Sequence, residues 1–127
     1  MRHIALVVLG VFFILAGANH FVHDGFYARI VPAWLPAAGW LVAISGACEI
    51  LGGIGVLWAR TRRLAGIGLI ALLVAVFPAN IEMAQHPLRY ADIAAPAILY
   101  ARLPLQLLLI AWVWWACLVK VPPRPAD

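Results

Sequence analysis

LPAAGWLVAISGACEILGGIGVLW (residues 35–58), ARTRR (59–63) and LAGIGLIALLVAVFPANIEMAQ (64–85) are the consecutive stretches that decide the fold. Two apolar runs, each as long as the ~20 residues a helix needs to cross ~30 Å of hydrocarbon, flank a turn that holds Arg60, Arg62 and Arg63. Backbone in lipid must satisfy its own N–H and C=O groups, so each run is predicted to be helical. Neither shows the period-two alternation of a barrel strand. The turn is so short that the two helices must be antiparallel neighbours.

Two more runs of the same kind lie outside this pair, at residues 4–21 and 103–121, which predicts an all-α, transmembrane four-helix bundle over residues 1–121. The composition agrees: 66% of the 127 residues are hydrophobic, 11% are charged, and the mean hydropathy is +1.00. A soluble domain is only about half apolar, so the solvent of this chain is the lipid bilayer, and the four spans leave no room for a separate soluble domain. Arg2 and the Ala16-Gly17-Ala18 end of the first run also fit a cleaved secretory leader, but cleavage would discard one wall of the bundle. The net charge of +4 reads as membrane topology and gives no nucleic-acid partner. Cys48 and Cys117 lie inside spans, form no CxxC pair and no metal-ligand cluster, and are read as small apolar packing residues.

Basic residues sort by side once the spans are drawn. Arg2, Arg60, Arg62, Arg63, Lys120 and Arg124 fall on one side, against Arg29, Arg89 and Arg102 on the other, which predicts both termini in the cytoplasm. Trp34, Trp40, Tyr27, Tyr90 and Tyr100 toward the outer ends, with Trp58 and Trp115 toward the inner ends, read as an interfacial aromatic belt. The first outer loop, residues 22–34, is polar and then aromatic, and the Leu35-Pro36 step is expected to start the second helix. The second outer loop, residues 86–102, carries a mildly apolar stretch, 93–100, expected to lie at the interface or over the bundle mouth. The proline-rich tail, residues 122–127, reads as disordered and cytoplasmic.

Polar side chains within the spans carry the functional signal, because an ionisable group at membrane depth normally turns inward and is paired. Asn19 and His20 end the first helix, Ser45 and Glu49 sit in the second, Asn80 and Glu82 follow Pro78 in the third, and Arg102 and Gln106 open the fourth. All lie in the outer half or near the midplane, which points to one shared site. Ser45, Glu49 and Gly52 follow an i, i+4, i+7 stripe, as Phe13, Gly17 and His20 do on the first helix. Gly17, Gly46, Gly52 and Gly53 permit close helix approach. Burial favours the neutral acid at Glu49 unless a cation such as Arg102 or a protonated His20 lies close, and Arg102, which starts its helix, is also placed to snorkel outward. Pro78 frees the carbonyl of Val74 as an acceptor for a ligand, a water or Gln106. Glu82 and His86, four apart, are expected to pair near the surface. The polar cluster has three readings: an interhelical network that fixes register, a small-molecule site, and a partner-docking surface.

Asn19-His20-Phe21, Val31-Pro32-Ala33-Trp34-Leu35-Pro36, Ser45-Gly46 with Glu49-Ile50, Phe77-Pro78-Ala79-Asn80-Ile81 and Arg102-Leu103-Pro104-Leu105-Gln106, in that order and spacing, resemble the DoxX family of small four-helix membrane proteins. The resemblance implies a multi-pass protein of the plasma membrane, related to the membrane subunit of thiosulfate:quinone oxidoreductase and to members proposed to join redox complexes. It predicts the fold better than the reaction. With no cysteine pair, cofactor motif or soluble catalytic domain, redox work would need quinone in the bundle and electrons from redox-protein partners. The expectation is an accessory redox subunit in which His20, Glu49, Asn80, Arg102 and Gln106 form an outward-facing polar pocket for a quinone or similar amphipathic molecule. Glu49 would supply or accept a proton. The alternative is a non-enzymatic scaffold or assembly factor held together by the same residues.

Overall fold

The computed structural model describes residues 1–120; the tail read as disordered, and Arg124 with it, lies outside the described residues. Five α-helices and one 3-10 turn follow in chain order: α1 (Arg2–Val22), α2 (Asp24–Ile30), α3 (Ala38–Leu57), α4 (Arg62–Gln85), a 3-10 turn (Pro87–Tyr90) and α5 (Pro96–Cys117). α1, α3, α4 and α5 are long and apolar enough to cross a membrane. They form an up-down ring in which α1 packs on α3, α3 on α4 and α4 on α5, while α5 closes weakly back onto α1. The protein is a multi-pass membrane helix bundle.

The tightest seam is α1 against α3, and glycine makes it. A methyl group at Gly17 would lie 2.5 Å from the Gly46 carbonyl oxygen, and one at Gly53 would lie 2.6 Å from the Gly10 carbonyl oxygen. Gly10 and Gly17 are seven apart, as are Gly46 and Gly53, so both pairs stay on one antiparallel seam. The buried stripe of α3 is therefore Val42, Gly46, Glu49, Gly53 and Val56, which keeps Glu49 of the expected stripe but takes Gly46 and Gly53 in place of Ser45 and Gly52. Ser45 returns its hydroxyl to the Leu41 carbonyl at 2.6 Å, as serines in apolar helices do.

Arginines at one end close the ring. Arg2 donates to the carbonyls of Ala116 and Val119 at 3.0 and 2.7 Å, and Arg62 donates to the Val56 carbonyl at 3.0 Å. Each satisfies carbonyls that a helix C-terminus leaves open, with positive charge at the negative end of the helix dipole. Between this end and the opposite one lie two apolar clusters. Leu6, Leu9, Phe13, Val56, Leu69 and Val113 belong to the first, and Ile30, Met83, Tyr90 and Leu99 form the second. His20, Glu49 and Gln106 are the buried polar residues, and all belong to the intervening level.

Several boundaries differ from the sequence expectation, among them the end of α5, which stops at Cys117 and not at residue 121. Residues 24–30 of the first outer loop are helical: Asp24 sits in the first turn, where its charge suits the dipole, and Phe26, Tyr27 and Ile30 face the second apolar cluster. α3 starts at Ala38, because Ala37 takes a left-handed φ of 55° and ends the Leu35-Pro36 segment before the helix begins. α5 starts at Pro96, whose fixed φ suits a first-turn position, and runs through Pro104. The stretch 93–100 is thus largely the first turn of α5, and Arg102 stands six residues inside its helix.

The aromatic belt also needs division. Trp34, Trp40, Trp58, Trp115 and Tyr100 are exposed as belt residues should be, but Tyr90 is 2% exposed and donates to the Arg29 carbonyl at 3.2 Å. Glu82 pairs with His86 at 3.3 Å as expected, and also with Arg89 at 2.9 Å. Cys117 is buried, its Cβ facing Gly66, whereas Cys48 is exposed on the outer face of the bundle.

Two outcomes test this packing. Gly17→Ala must separate α1 from α3 or displace backbone, and a loss of about 1–3 kcal/mol is expected in detergent unfolding followed by circular dichroism. Gly68→Ala, where a methyl meets nothing within 4 Å, is the control and should be neutral or mildly stabilising. Arg29 and Asp92 tie α2 to the α4–α5 connection at 3.2 Å, and the Arg29 hydrogen bond holds the Asp92 carboxyl below its ordinary range. The tie is complete above the ordinary aspartate value and is lost as pH falls through the lower folded value. A spin label at exposed Leu88 should gain mobility on that acidification in the native protein, and Asp92→Asn should remove the pH dependence.

Candidate functional site

His20 owes its position to the glycine seam. It lies three residues beyond Gly17, its Cβ packs where a Gly46 side chain would stand, and Glu49 is three residues beyond Gly46. Because the helices are antiparallel, His20 and Glu49 stand one turn to either side of the Gly17–Gly46 contact, and their side chains reach toward each other across it, His20 Nε2 lying 3.5 Å from Glu49 Oε2. His20 Nδ1 lies 3.2 Å from the Val42 carbonyl, so it carries the ring proton when the imidazole is neutral and turns the Nε2 lone pair toward Glu49. The Tyr27 ring, on α2, stacks on the imidazole with centroids 4.0 Å apart. Sequence reading assigned Tyr27 to the aromatic belt; the signal that identifies it is the i, i+1, i+4 apolar face Phe26-Tyr27-Ile30 of a helix only seven residues long.

Glu49 is 8% exposed, and its Oε2 atom is buried without a hydrogen-bond partner among the described residues. The direct pair with Arg102 is not formed. Arg102 instead donates from Nε to Asn80 Oδ1 at 3.2 Å, because its helix starts earlier than expected and its side chain leans across α4. Asn80 in turn donates to Gln106 Oε1, and Gln106 donates to the Leu73 carbonyl. That acceptor is the residue before Val74, the carbonyl that Pro78 was expected to free. Asn80 and Gln106 are thus engaged with each other and with backbone, which makes them supports for Arg102.

His20, Glu49, Asn80, Arg102 and Gln106, the five residues singled out from sequence, line one cavity of about 550 Å³ together with Tyr27. Ser45 and Asn19 lie outside it. Asn19 is exposed and clips α1 to α2, donating to the Tyr27 hydroxyl at 2.8 Å and accepting from His23 at 2.7 Å. Below the polar residues the cavity is lined by Phe12, Leu73, Val76, Leu105, Leu108 and Trp112. It is a groove along the weak α1–α5 seam, and its rim residues Phe12, Leu105 and Leu108 are 45%, 59% and 66% exposed on the outer surface of the bundle. The opening therefore faces sideways, toward the acyl chains. From Arg102 to Trp112 it extends about 15 Å at 1.5 Å per residue.

The arrangement provides an apolar trough with a carboxyl, an imidazole and a guanidinium at one end. An amphipathic molecule fits such a trough with its polar group among those side chains and its apolar part against Phe12, Leu108 and Trp112.

The support role of Gln106 is testable. Gln106→Leu leaves Asn80 Nδ2 without its acceptor and strips the Leu73 carbonyl of its side-chain donor, and should destabilise the bundle by about 1 kcal/mol, the scale of interhelical hydrogen bonds in membranes. Asn80→Leu should cost a similar amount. The double variant should lose less than the two together in a double-mutant cycle of detergent unfolding, and strict additivity would separate the two side chains.

The model of the family described as "Domain of unknown function (DUF8561)" matches residues 9–117, a range that includes all five candidate residues and Tyr27. No curated protein and no solved structure matches the chain.

Proposed function

This chain belongs to the DUF8561 family, and we propose that it holds a small amphipathic molecule such as a quinone in the groove between α1 and α5. In this reading it is a DoxX-like accessory subunit of a redox system in the plasma membrane, with both termini in the cytoplasm. The observation that carries the reading is the Glu49 carboxyl: an oxygen without a hydrogen-bond partner, at the polar end of a groove that opens to lipid. A buried polar atom left unsatisfied costs about 1–3 kcal/mol, so the bundle keeps this carboxyl at the expense of its own stability.

The residues divide by what they have free. No described residue accepts a hydrogen bond from the Arg102 Nη groups, which can donate to a carbonyl or phenolate oxygen of the head group. Glu49, with His20 behind it, can give or take the proton that accompanies reduction or oxidation. Asn80 and Gln106 hold Arg102 in place. A quinone supplies proton-coupled electron chemistry when bound, and a redox-protein partner would supply the electrons.

One observation favours the second reading, a non-enzymatic scaffold or assembly factor. Asn80 and Gln106 bond each other, Arg102 Nε and the Leu73 carbonyl, as a network that only fixes helix register would.

Titration of a short-chain ubiquinone analogue into the protein in lipid nanodiscs, followed by tryptophan fluorescence, separates the two. Saturable quenching is expected, with Glu49→Gln and Arg102→Ala each weakening binding at least about tenfold, or ~1.4 kcal/mol, at unchanged helicity. Unsaturable quenching in the native protein, together with an empty lipid-phase extract in mass spectrometry, would leave the scaffold.

A further inference from the structure

The His20 imidazole lines more than the groove. It also borders a separate cavity of about 210 Å³ between α1, α2 and α3, whose lining includes Asp24, Gly25, Val42 and Gly39. Asp24, Gly25 and Gly39 are exposed residues at the α2 end of the bundle, where the chain leaves the apolar spans. A methyl group built at Gly25 or at Gly39 meets nothing within 4 Å, so both glycines border open space. The imidazole thus stands as the partition between an entrance at the bundle's end and the buried carboxyl of Glu49.

We propose that His20 is a proton relay connecting Glu49 to water through this entrance. Val42, whose carbonyl lies against Nδ1, itself lines the entrance, while Nε2 faces Glu49. The two ring nitrogens therefore address two different compartments. For release, the Glu49 carboxyl passes its proton to Nε2, which forms an imidazolium and a carboxylate. The Nδ1 proton then leaves to water in the entrance, and the ring remains neutral with its proton on Nε2. Return of a proton to Nδ1 and loss of the one on Nε2 to the Glu49 carboxylate reverse the path, and no electrons move.

The titratable and charged groups facing the imidazole are few. Glu49 comes from α3, Tyr27 and Asp24 from α2, and Arg102 lines the same groove from α5; α4 contributes the neutral Asn80. Tyr27 stacks on the ring face and leaves the ring edge to Val42 and Glu49. Asp24 at the entrance favours a proton there by its charge. The relay deepens the reading of Glu49 as the group that exchanges a proton with a ligand, but the path itself requires no ligand.

A pH jump on the ligand-free protein in nanodiscs tests it, with the Glu49 carboxyl followed by time-resolved difference infrared and assigned by Glu49→Gln. His20→Phe keeps a ring under Tyr27 and removes both nitrogens, so relaxation of the carboxyl signal should slow about a hundredfold, the range of a positioned proton-transfer group. Gly39→Leu fills the entrance with His20 intact and should slow it about tenfold. Native relaxation rates in Gly39→Leu would overturn the entrance whether or not His20→Phe folds, and a native rate in folded His20→Phe would overturn the relay. Slow relaxation in both variants without any quinone binding would leave the proton path standing and remove the ligand reading instead.

Discussion

The contact between Gly17 and Gly46 is the constraint on which the other features of the bundle depend. At that point two backbones approach until no side chain fits between them, and the same approach recurs seven residues away at Gly10 and Gly53. Lipid tails offer helices no hydrophobic reason to associate, so close backbone packing has to supply the attraction. Such a seam admits little slippage, because Leu57, Ile50 and Ile14 pack into the space beside Gly10, Gly17 and Gly53 that only a residue without a side chain leaves open. His20 and Glu49 inherit this precision by standing one turn to either side of that contact.

A polar level so fixed creates a tension that the rest of the fold distributes unequally. On the α4–α5 side it is resolved, since Arg102, Asn80 and Gln106 hand hydrogen bonds from one to the next until the Leu73 carbonyl ends the chain. On the α1–α3 side it is left open at Glu49. Apolar clusters above and below keep either side from spreading along the bundle. Structural roles collect on α4 and chemical capacity collects on α1 and α3, with Arg102 as the group of the α4–α5 half that keeps free donors in the groove.

Much of this was readable in the residues. The three-arginine turn fixed the antiparallel pair, the lengths of the apolar runs fixed the spans, and the cost of burying a carboxyl made Glu49, His20 and Arg102 candidates for one level; all five candidate residues do line one cavity. What was hidden was local. Pro96 and Pro104 both suit a first helical turn, and hydropathy alone favoured the later one because Arg102 interrupts the apolar run. α2 is too short for periodicity to declare it, and Tyr27 was lost with it. The direction of the opening was also hidden, because it depends on α5 meeting α1 loosely, which no pattern within either helix encodes.

The Arg2 side chain joins residues 114 and 117 positions away, reaching from the first turn of α1 to the last turn of α5. A link of such span closes only after every later helix has entered the bilayer, so the beginning of the chain must wait for its end. α1 and α3 can zip together as soon as both are inserted, and α4 with α5 can follow as a second hairpin. Assembly therefore ends with one half swinging onto the other about the α3–α4 turn and closing at the loose edge that houses the groove, with a single guanidinium as its latch.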